Sequence, residues 1–300
     1  MYYDWNLSQF VKKDVDYLID PLADISNINK SHVIKTTKHS RHIVASKKNK
    51  TLSSEETNQK IYYDEIADSY DEHYASESSL KYRGDLFHRL LKSENIAHHH
   101  VLDAMCGGGQ NTGYFMQQNA KVTGIDISEM QCKNYSKRYP DNTVICGSVL
   151  SNNFKDESFD FIVTDSLHHM HPYIKECMSE FNRLLKPSGK LLLWEPAAGS
   201  VFDYARQAWY KIDPRYFEEN EESINLENLV RDNEDRFSLQ SKIYGGSFSY
   251  IFNNLSMALR ISPTKTALRY KFFHTLERAI EPFQTRLTAL WFIALFEKKY

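Results

Sequence analysis

The sequence lacks the features that mark secreted, membrane-spanning and zinc-binding proteins. Its four cysteines form no CxxC pair, so no zinc knuckle is indicated and free thiols in a reducing compartment are expected. The N-terminal Met1-Tyr-Tyr-Asp-Trp has no basic start followed by an apolar stretch, unlike a signal peptide. The longest apolar run, Ala289 to Phe296, is too short to span a bilayer. We therefore expect a cytoplasmic protein without a transmembrane segment.

A strong net charge is also missing, although charge is unevenly placed along the chain. The formal net charge of -2 gives no overall field that would attract nucleic acid or membrane. No acidic residue occurs between Asp24 and Glu55, where seven lysines and arginines occur, and residues 213–236 are instead rich in acids. Residues 26–58 contain few large apolar side chains, so the first 58 residues are predicted to be a partly flexible arm, with a short amphipathic helix over 7–20.

Apolar runs alternate with helical patterns after residue 99, which predicts crossover units and a parallel sheet. The predicted strands are His100–Ala104, Lys121–Asp126, Thr143–Cys146, Phe159–Thr164, Lys190–Trp194, Phe237–Ile251 and Ala289–Glu297. Ser53-x-x-Glu56 predicts a capped helix before them. The predicted organisation is an arm (1–58), cap helices (59–98), a core (99–200), a helical insertion (201–236), and C-terminal strands with a helical lid (237–300).

The stretch VLDAMCGGGQ places a glycine-rich loop directly after a strand, where open α/β sheets bind ligands. Gly107 and Gly109 would let a ligand lie against the backbone, and the following helix supplies free amide donors. A dinucleotide fits poorly, because Thr112 stands where that fingerprint has its third glycine. A phosphate-binding P-loop is excluded because no Gly-Lys-Ser/Thr follows.

S-adenosylmethionine matches the polar residues at successive strand ends better. Asp103 ends the first of these strands and can lie near the ammonium group of this ligand. Asp126 ends the second strand, where a carboxylate can accept both ribose hydroxyls. Ser148 follows the third strand, at the place where the adenine edge would lie. Each strand therefore brings one polar group to a single ligand.

On these residues the region 99–196 resembles class I S-adenosylmethionine-dependent methyltransferases, most closely the small-molecule branch that includes ubiquinone/menaquinone-biosynthesis and natural-product enzymes. The resemblance is carried, in order, by VLDAMCGGG, VTGIDIS, SFDFIVTDSLHHM and EFNRLLKPSGKLLLWEP, with IYYDEIADSYDEHY similar to the cap helix of this branch.

The resemblance implies a Rossmann-like, doubly wound α/β fold with a seven-stranded, mostly parallel sheet whose last strand is antiparallel. It also implies S-adenosyl-L-methionine as cofactor. The residues expected to bind it are Asp103, Ala104, Met105, Gly107, Gly109, Asp126, Ile127, Ser148, Val149, Asp165, Tyr82 and Arg83.

Two positions depart from the family pattern. Met105 replaces the first glycine of the motif, which requires a negative φ at that residue to be tolerated. Ser148 stands where the family usually has an acid that accepts the adenine amino group. A hydroxyl makes a weaker acceptor than a carboxylate, so we expect backbone groups at Ser148 and Val149 to contribute more to adenine recognition.

His168 and His169 are candidate general bases at the mouth of the predicted site, since histidine titrates near neutrality. Packing at the start of a helix is an equal interpretation, and methyl transfer can also proceed by proximity alone. His98-His-His100 is not assigned to a metal, because adjacent strand residues alternate faces.

The leading hypothesis is methyl transfer to a small-molecule or lipid-like acceptor with an O, N or C nucleophile. The C-terminal aromatics Tyr250, Phe252, Tyr270, Phe272 and Phe273 would cover an apolar acceptor pocket.

Two alternatives remain open. One is RNA- or DNA-directed methylation using the basic arm. It is disfavoured because Asp165-Ser-Leu-His168 lacks the Asn/Asp-Pro-Pro-Tyr element of base amino-methylating enzymes. The other is a methyltransferase-like subunit that binds without turnover. The acceptor and the oligomeric state cannot be read from the sequence.

Overall fold

The computed structural model describes residues 43–45, 52–212, 221–254 and 263–300. The helix predicted over 7–20, most of the basic arm and part of the acidic segment lie outside these residues. The helices are α1 (Ser54–Tyr74), α2 (Glu77–Leu91), α3 (Thr112–Gln117), α4 (Glu129–Arg138), α5 (Ile174–Leu184), α6 (Val201–Ile212), α7 (Leu226–Arg231) and α8 (Pro263–Ile280). The strands are β1 (Ile43–Ala45), β2 (His100–Ala104), β3 (Lys121–Asp126), β4 (Thr143–Cys146), β5 (Phe159–Thr164), β6 (Leu185–Pro196), β7 (Phe237–Gly245) and β8 (Trp291–Lys298).

One sheet organises the described chain, with strand order β1-β4-β3-β2-β5-β6-β8-β7. β8 runs antiparallel to both of its neighbours, whereas β2 to β6 are parallel, so the predicted mostly parallel sheet with an antiparallel last strand is confirmed. β1 is additional to the seven predicted strands. It comes from the segment predicted as a linker and pairs parallel with β4, Ile43 opposite Val144.

Helices cover both faces of this sheet, because strand side chains alternate between two apolar clusters. In β2, Leu102 packs into the cluster that includes Phe181 of α5, while Val101 packs into the one that includes Phe87 of α2. Such burial on both faces is typical of parallel sheets with crossover helices. Because β2, β3, β4 and β5 are neighbours and parallel, their carboxyl ends meet at one edge.

Helix α1 lies across that edge, and its start is fixed by the predicted capping box. The Ser53 side chain accepts a hydrogen bond from Glu56 N–H (3.1 Å), and the Glu56 carboxylate accepts one from Ser53 N–H (2.9 Å). Two amides that would otherwise lack partners are thereby satisfied. Among the described residues, no helix combines the length and apolar character needed to cross a membrane.

Candidate active site

A cavity of about 710 Å³, including the space open to solvent, lies between the carboxyl ends of the strands and α1. The predicted residues that line it are Met105, Gly107, Asp126, Ile127, Ser148, Val149, Asp165 and His169. Asp103, Ala104, Gly109, Tyr82, Arg83 and His168 were also predicted at the site, but they do not line this cavity.

Asp103 lies beneath the glycine-rich loop and anchors the start of α3. Its carboxylate accepts hydrogen bonds from Thr112 Oγ1 (2.7 Å) and Asn111 Nδ2 (3.1 Å). The side chain is fully buried, and this burial raises the pKa of Asp103 to about 7. Its position therefore supports the loop from below, as does that of Ala104, which is likewise fully buried.

Asp126 ties the end of β3 to the glycine-rich loop. Its two carboxylate oxygens accept hydrogen bonds from Gly107 N–H (2.7 Å) and Ser128 N–H (2.8 Å). Burial raises the pKa of Asp126 to about 6, while these two hydrogen bonds act in the opposite direction. A carboxylate offers about four acceptor positions, so Asp126 keeps capacity for hydroxyl groups of a ligand.

Met105 corrects one expectation from the sequence. A negative φ was expected there, but its φ is +57°, in the left-handed region that favours glycine. Gly107 (φ +52°) and Gly109 (φ +86°) also adopt this region. A Cβ on Gly109 would lie 2.5 Å from the Tyr139 ring, so Gly109 is needed for close packing against α4.

Arg83 is separated from the cavity by its own partners. Its guanidinium donates to Asp165 and Asn111 and lies over the Trp194 ring, 4.6 Å from the ring centre. Burial alone would raise the pKa of Asp165, but Arg83 holds it below its usual value. Arg83 therefore keeps Asp165 ionised at the wall of the cavity.

Tyr82 belongs to the apolar cluster between α2 and the sheet. Its hydroxyl donates to Glu277 and accepts from Trp291 Nε1 (3.2 Å), and the side chain is almost fully buried. The ring stands 6.1 Å from that of Trp194. Tyr82 therefore packs within this cluster and does not line the cavity.

The C-terminal aromatics expected over the acceptor also lie elsewhere. Tyr250 packs against Trp194 and Trp291, and the rings of Phe252 and Phe273 stack with centroids 4.3 Å apart. Tyr270 is buried and stacks on His274. None of the five predicted aromatics lines the cavity.

The two candidate histidines have different surroundings. His168 Nδ1 lies 2.7 Å from the carboxylate of Glu195, which also accepts hydrogen bonds from the amides of Leu167 and His168. Burial lowers the pKa of His168 to about 4 and raises that of Glu195. His169 lines the cavity, and its Nε2 lies 3.0 Å from the Tyr63 hydroxyl. His169 is thus the histidine that a ligand can reach.

Helix α1 also supplies residues to the wall of the cavity. Those lining the cavity are Glu56, Gln59, Tyr63 and Tyr70. Their spacing of three, four and seven residues places them on one face of the helix. The only signals in the sequence were the capping box and this helical spacing of polar and aromatic residues, which resembles a solvated face.

Gln131 also lines the cavity and has an unusual hydrogen-bonding state. It is almost fully buried, yet neither its amide nitrogen nor its amide oxygen has a hydrogen-bond partner among the described residues. Leaving such a group unpaired is costly, which indicates that a polar ligand binds here. An adenosyl group, with hydroxyls and ring nitrogens, fits this requirement together with Asp126 and the glycine-rich loop.

Comparisons with known proteins agree with this geometry. Residues 102–193 match a family model described as a methyltransferase domain. Over 119 residues the chain is 28% identical to a phthiotriol/phenolphthiotriol dimycocerosates methyltransferase of Mycobacterium tuberculosis, which covers 38% of this chain and 44% of the relative. Over 108 residues it is 36% identical to an uncharacterized methyltransferase of Synechocystis, covering 34% of this chain and 50% of the relative. The chain spans about half the length of the curated relatives it matches.

Solved structures share the fold at low sequence identity. One is a putative sarcosine dimethylglycine methyltransferase from Galdieria sulphuraria, with a TM-score of 0.52 and 19% identity over 74% of this chain and 86% of the other. Another is an S-adenosylmethionine-dependent methyltransferase from Archaeoglobus fulgidus, with a TM-score of 0.51 and 16% identity over 74% and 95%. Residues 102–193 therefore resemble a methyltransferase domain, and the described chain shares the fold of these methyltransferase structures.

Proposed function

We propose that this chain transfers a methyl group from S-adenosylmethionine to a small-molecule or lipid-like acceptor. The observation that carries the proposal is the convergence of Asp126, the glycine-rich loop and the unpaired amide of Gln131 on one cavity. The M. tuberculosis relative, named for phthiotriol and phenolphthiotriol dimycocerosates, supports a lipid-like acceptor class.

The cofactor would be held by residues from three strand ends and α4. Asp126 would accept the ribose hydroxyls, and the amide of Gln131 would donate to or accept from the polar edge of the adenosyl group. Gly107 would allow close backbone approach, and Val149 would pack against the base. The bound cofactor would supply a methyl group made electrophilic by its sulfonium.

The acceptor would enter beside Tyr63, Tyr70 and Met170, which give one part of the cavity wall an aromatic and apolar character. The Tyr63 hydroxyl and His169 Nε2, 3.0 Å apart, form a pair that can take a proton from an attacking hydroxyl or amine. The attacking group would pass its proton to the Tyr63 oxygen as the Tyr63 proton moves to His169 Nε2, which leaves the imidazole protonated. His168 and Glu195 instead contact each other, and Glu195 stabilises the turn at Leu167 and His168 by accepting hydrogen bonds from its amides.

The test is a transfer assay with methyl-labelled S-adenosylmethionine and fractionated lipid and metabolite extracts. We expect label to enter an extractable small molecule with wild type, and His169→Asn to lower the turnover while leaving cofactor affinity unchanged. His99→Asn is the matched control and should keep the wild-type turnover, because His99 stacks on Phe161 away from the cavity. Cofactor binding with no labelled product in any fraction would contradict the catalytic role and favour a non-catalytic binding subunit.

A further inference from the structure

Ser148 lies at the end of the third strand, where an acid would receive the adenine amino group, but its hydroxyl is already engaged. The Oγ atom donates to a carboxylate oxygen of Glu56 and accepts a hydrogen bond from Leu150 N–H (3.1 Å). Ser148 itself is buried. It is therefore better placed to hold Glu56 than to serve as the acceptor for a ligand.

Glu56 brings a carboxylate to this place from a different element. It lies in the first turn of α1, 92 positions before Ser148, and both residues line the cavity. Only 8% of the residue is exposed. One carboxylate oxygen receives Ser53 N–H and the other receives the Ser148 hydroxyl. Since a carboxylate has about four acceptor positions, Glu56 can accept a further donor.

We propose that Glu56 provides the carboxylate that binds the exocyclic amine of adenine, a role that the strand end cannot fill because it carries Ser148. The inference rests on the proposed cofactor. A negative charge is favourable in the first turn of a helix, where unpaired amides face it. A carboxylate accepts from the 6-amino group of adenine and repels the 6-keto oxygen of hypoxanthine. Glu56 thereby makes α1 a determinant of base specificity.

The experiment compares the binding of S-adenosylhomocysteine and S-inosylhomocysteine by isothermal titration calorimetry. Wild type should prefer the adenosyl ligand. In Glu56→Gln we expect this preference to fall by about tenfold or more, as when a hydrogen bond to a charged group is lost. Glu55→Gln is the matched control, because Glu55 is a half-buried neighbour outside the cavity, and it should keep the wild-type preference.

Two further variants separate recognition from helix capping. Ser53→Ala disrupts the capping box but keeps the Glu56 carboxylate, so the base preference should survive even if α1 is less stable. Adding Ser148→Asp to Glu56→Gln returns an acid to the strand end and should restore the preference.

The outcomes distinguish this inference from the proposed function. Absence of S-adenosylhomocysteine binding by wild type would overturn the cofactor itself. Normal wild-type binding with an unchanged base preference in Glu56→Gln would overturn the role of Glu56 alone. Tighter binding of both ligands by Glu56→Gln would also overturn it, since the carboxylate would then only occupy the pocket.

Discussion

At the scale of single residues, Met105 has a backbone conformation that favours glycine over any residue with a side chain. Its φ of +57° is strained for any residue with a Cβ. We expect Met105→Gly to be more stable than Met105→Ala by about 1 kcal/mol, because only glycine relieves this strain. Chemical denaturation of the two variants measures the difference. Equal unfolding free energies would mean that the loop carries no strain at this position.

Asp103 predicts a specific pH dependence of stability. Its pKa is about 7 in the folded protein and roughly 4 in an unfolded chain. The folded state therefore binds the proton more tightly, and the stabilisation present below pH 4 is lost as the pH rises towards 7. The unfolding free energy of wild type minus that of Asp103→Asn should fall between pH 4 and 7. A difference that stays constant or rises over this range would contradict the assignment.

Position relative to the strand ends explains which site residues could be predicted from the sequence. Asp126, Gly107 and Ser148 lie at or within three residues of strand ends, so the motif predicted their placement at the cavity. Arg83 and Tyr82 do not line the cavity, and their partners Asp165 and Glu277 come from distant segments whose pairing no local pattern specifies. Gln131 was not among the predicted site residues. Its unpaired amide becomes apparent only when its surroundings are known.

At the scale of elements, α1 is held over the site by polar contacts. Near the end of α1, Asp71 forms an ion pair with Arg138 (2.8 Å) and accepts a hydrogen bond from Gln110 Nε2 (2.9 Å). These contacts attach α1 to the glycine-rich loop and to α4. Near the middle of α1, the Asp64 carboxylate accepts from the Ser128 hydroxyl (2.7 Å). The attachment of α1 to the core therefore depends on charged and hydroxyl side chains.

We expect Asp71→Ala to loosen the C-terminal half of α1 by about 1 kcal/mol, the net contribution of one or two such interactions. Hydrogen exchange should become faster in α1 and remain unchanged in β2 and β5. Glu72→Ala is the matched control, because Glu72 is exposed on the same helix, and its exchange rates should equal those of wild type. Uniform acceleration across the sheet would contradict a local role.

Some strands were predicted correctly from the sequence, and others were not. β2, β3, β4 and β5 match their predicted bounds, since each is a short apolar run between turn residues. β6 starts at Leu185 instead of Lys190, because Leu185 pairs with Phe159 before the turn containing Ser188. β1 was not predicted, because a three-residue strand in a polar segment depends on the edge offered by β4. Long-range pairing of this kind leaves little trace in local sequence.

At the scale of the whole molecule, the order of the strands determines which residues reach the cavity. β2 and β3 lie side by side in the sheet with β4 and β5 on either side, so strand-end residues from Met105 to Met170 reach the same cavity. The alternating pattern of strands and helices predicted the parallel core of this sheet, β2 to β6, but not β1. The contribution of α1 to the cavity was not predicted, because helix packing over a site is decided by tertiary contacts.

The most direct test of the account is calorimetric titration of the protein with S-adenosylmethionine. Wild type should bind it, and Asp126→Asn should bind at least about tenfold more weakly, because the carboxylate that accepts the ribose hydroxyls is lost. Asp141→Asn is the control, since Asp141 is exposed and outside the cavity, and it should bind like wild type. Absence of wild-type binding, or equal affinities of wild type and a folded Asp126→Asn, would contradict the assignment of this cavity to the cofactor.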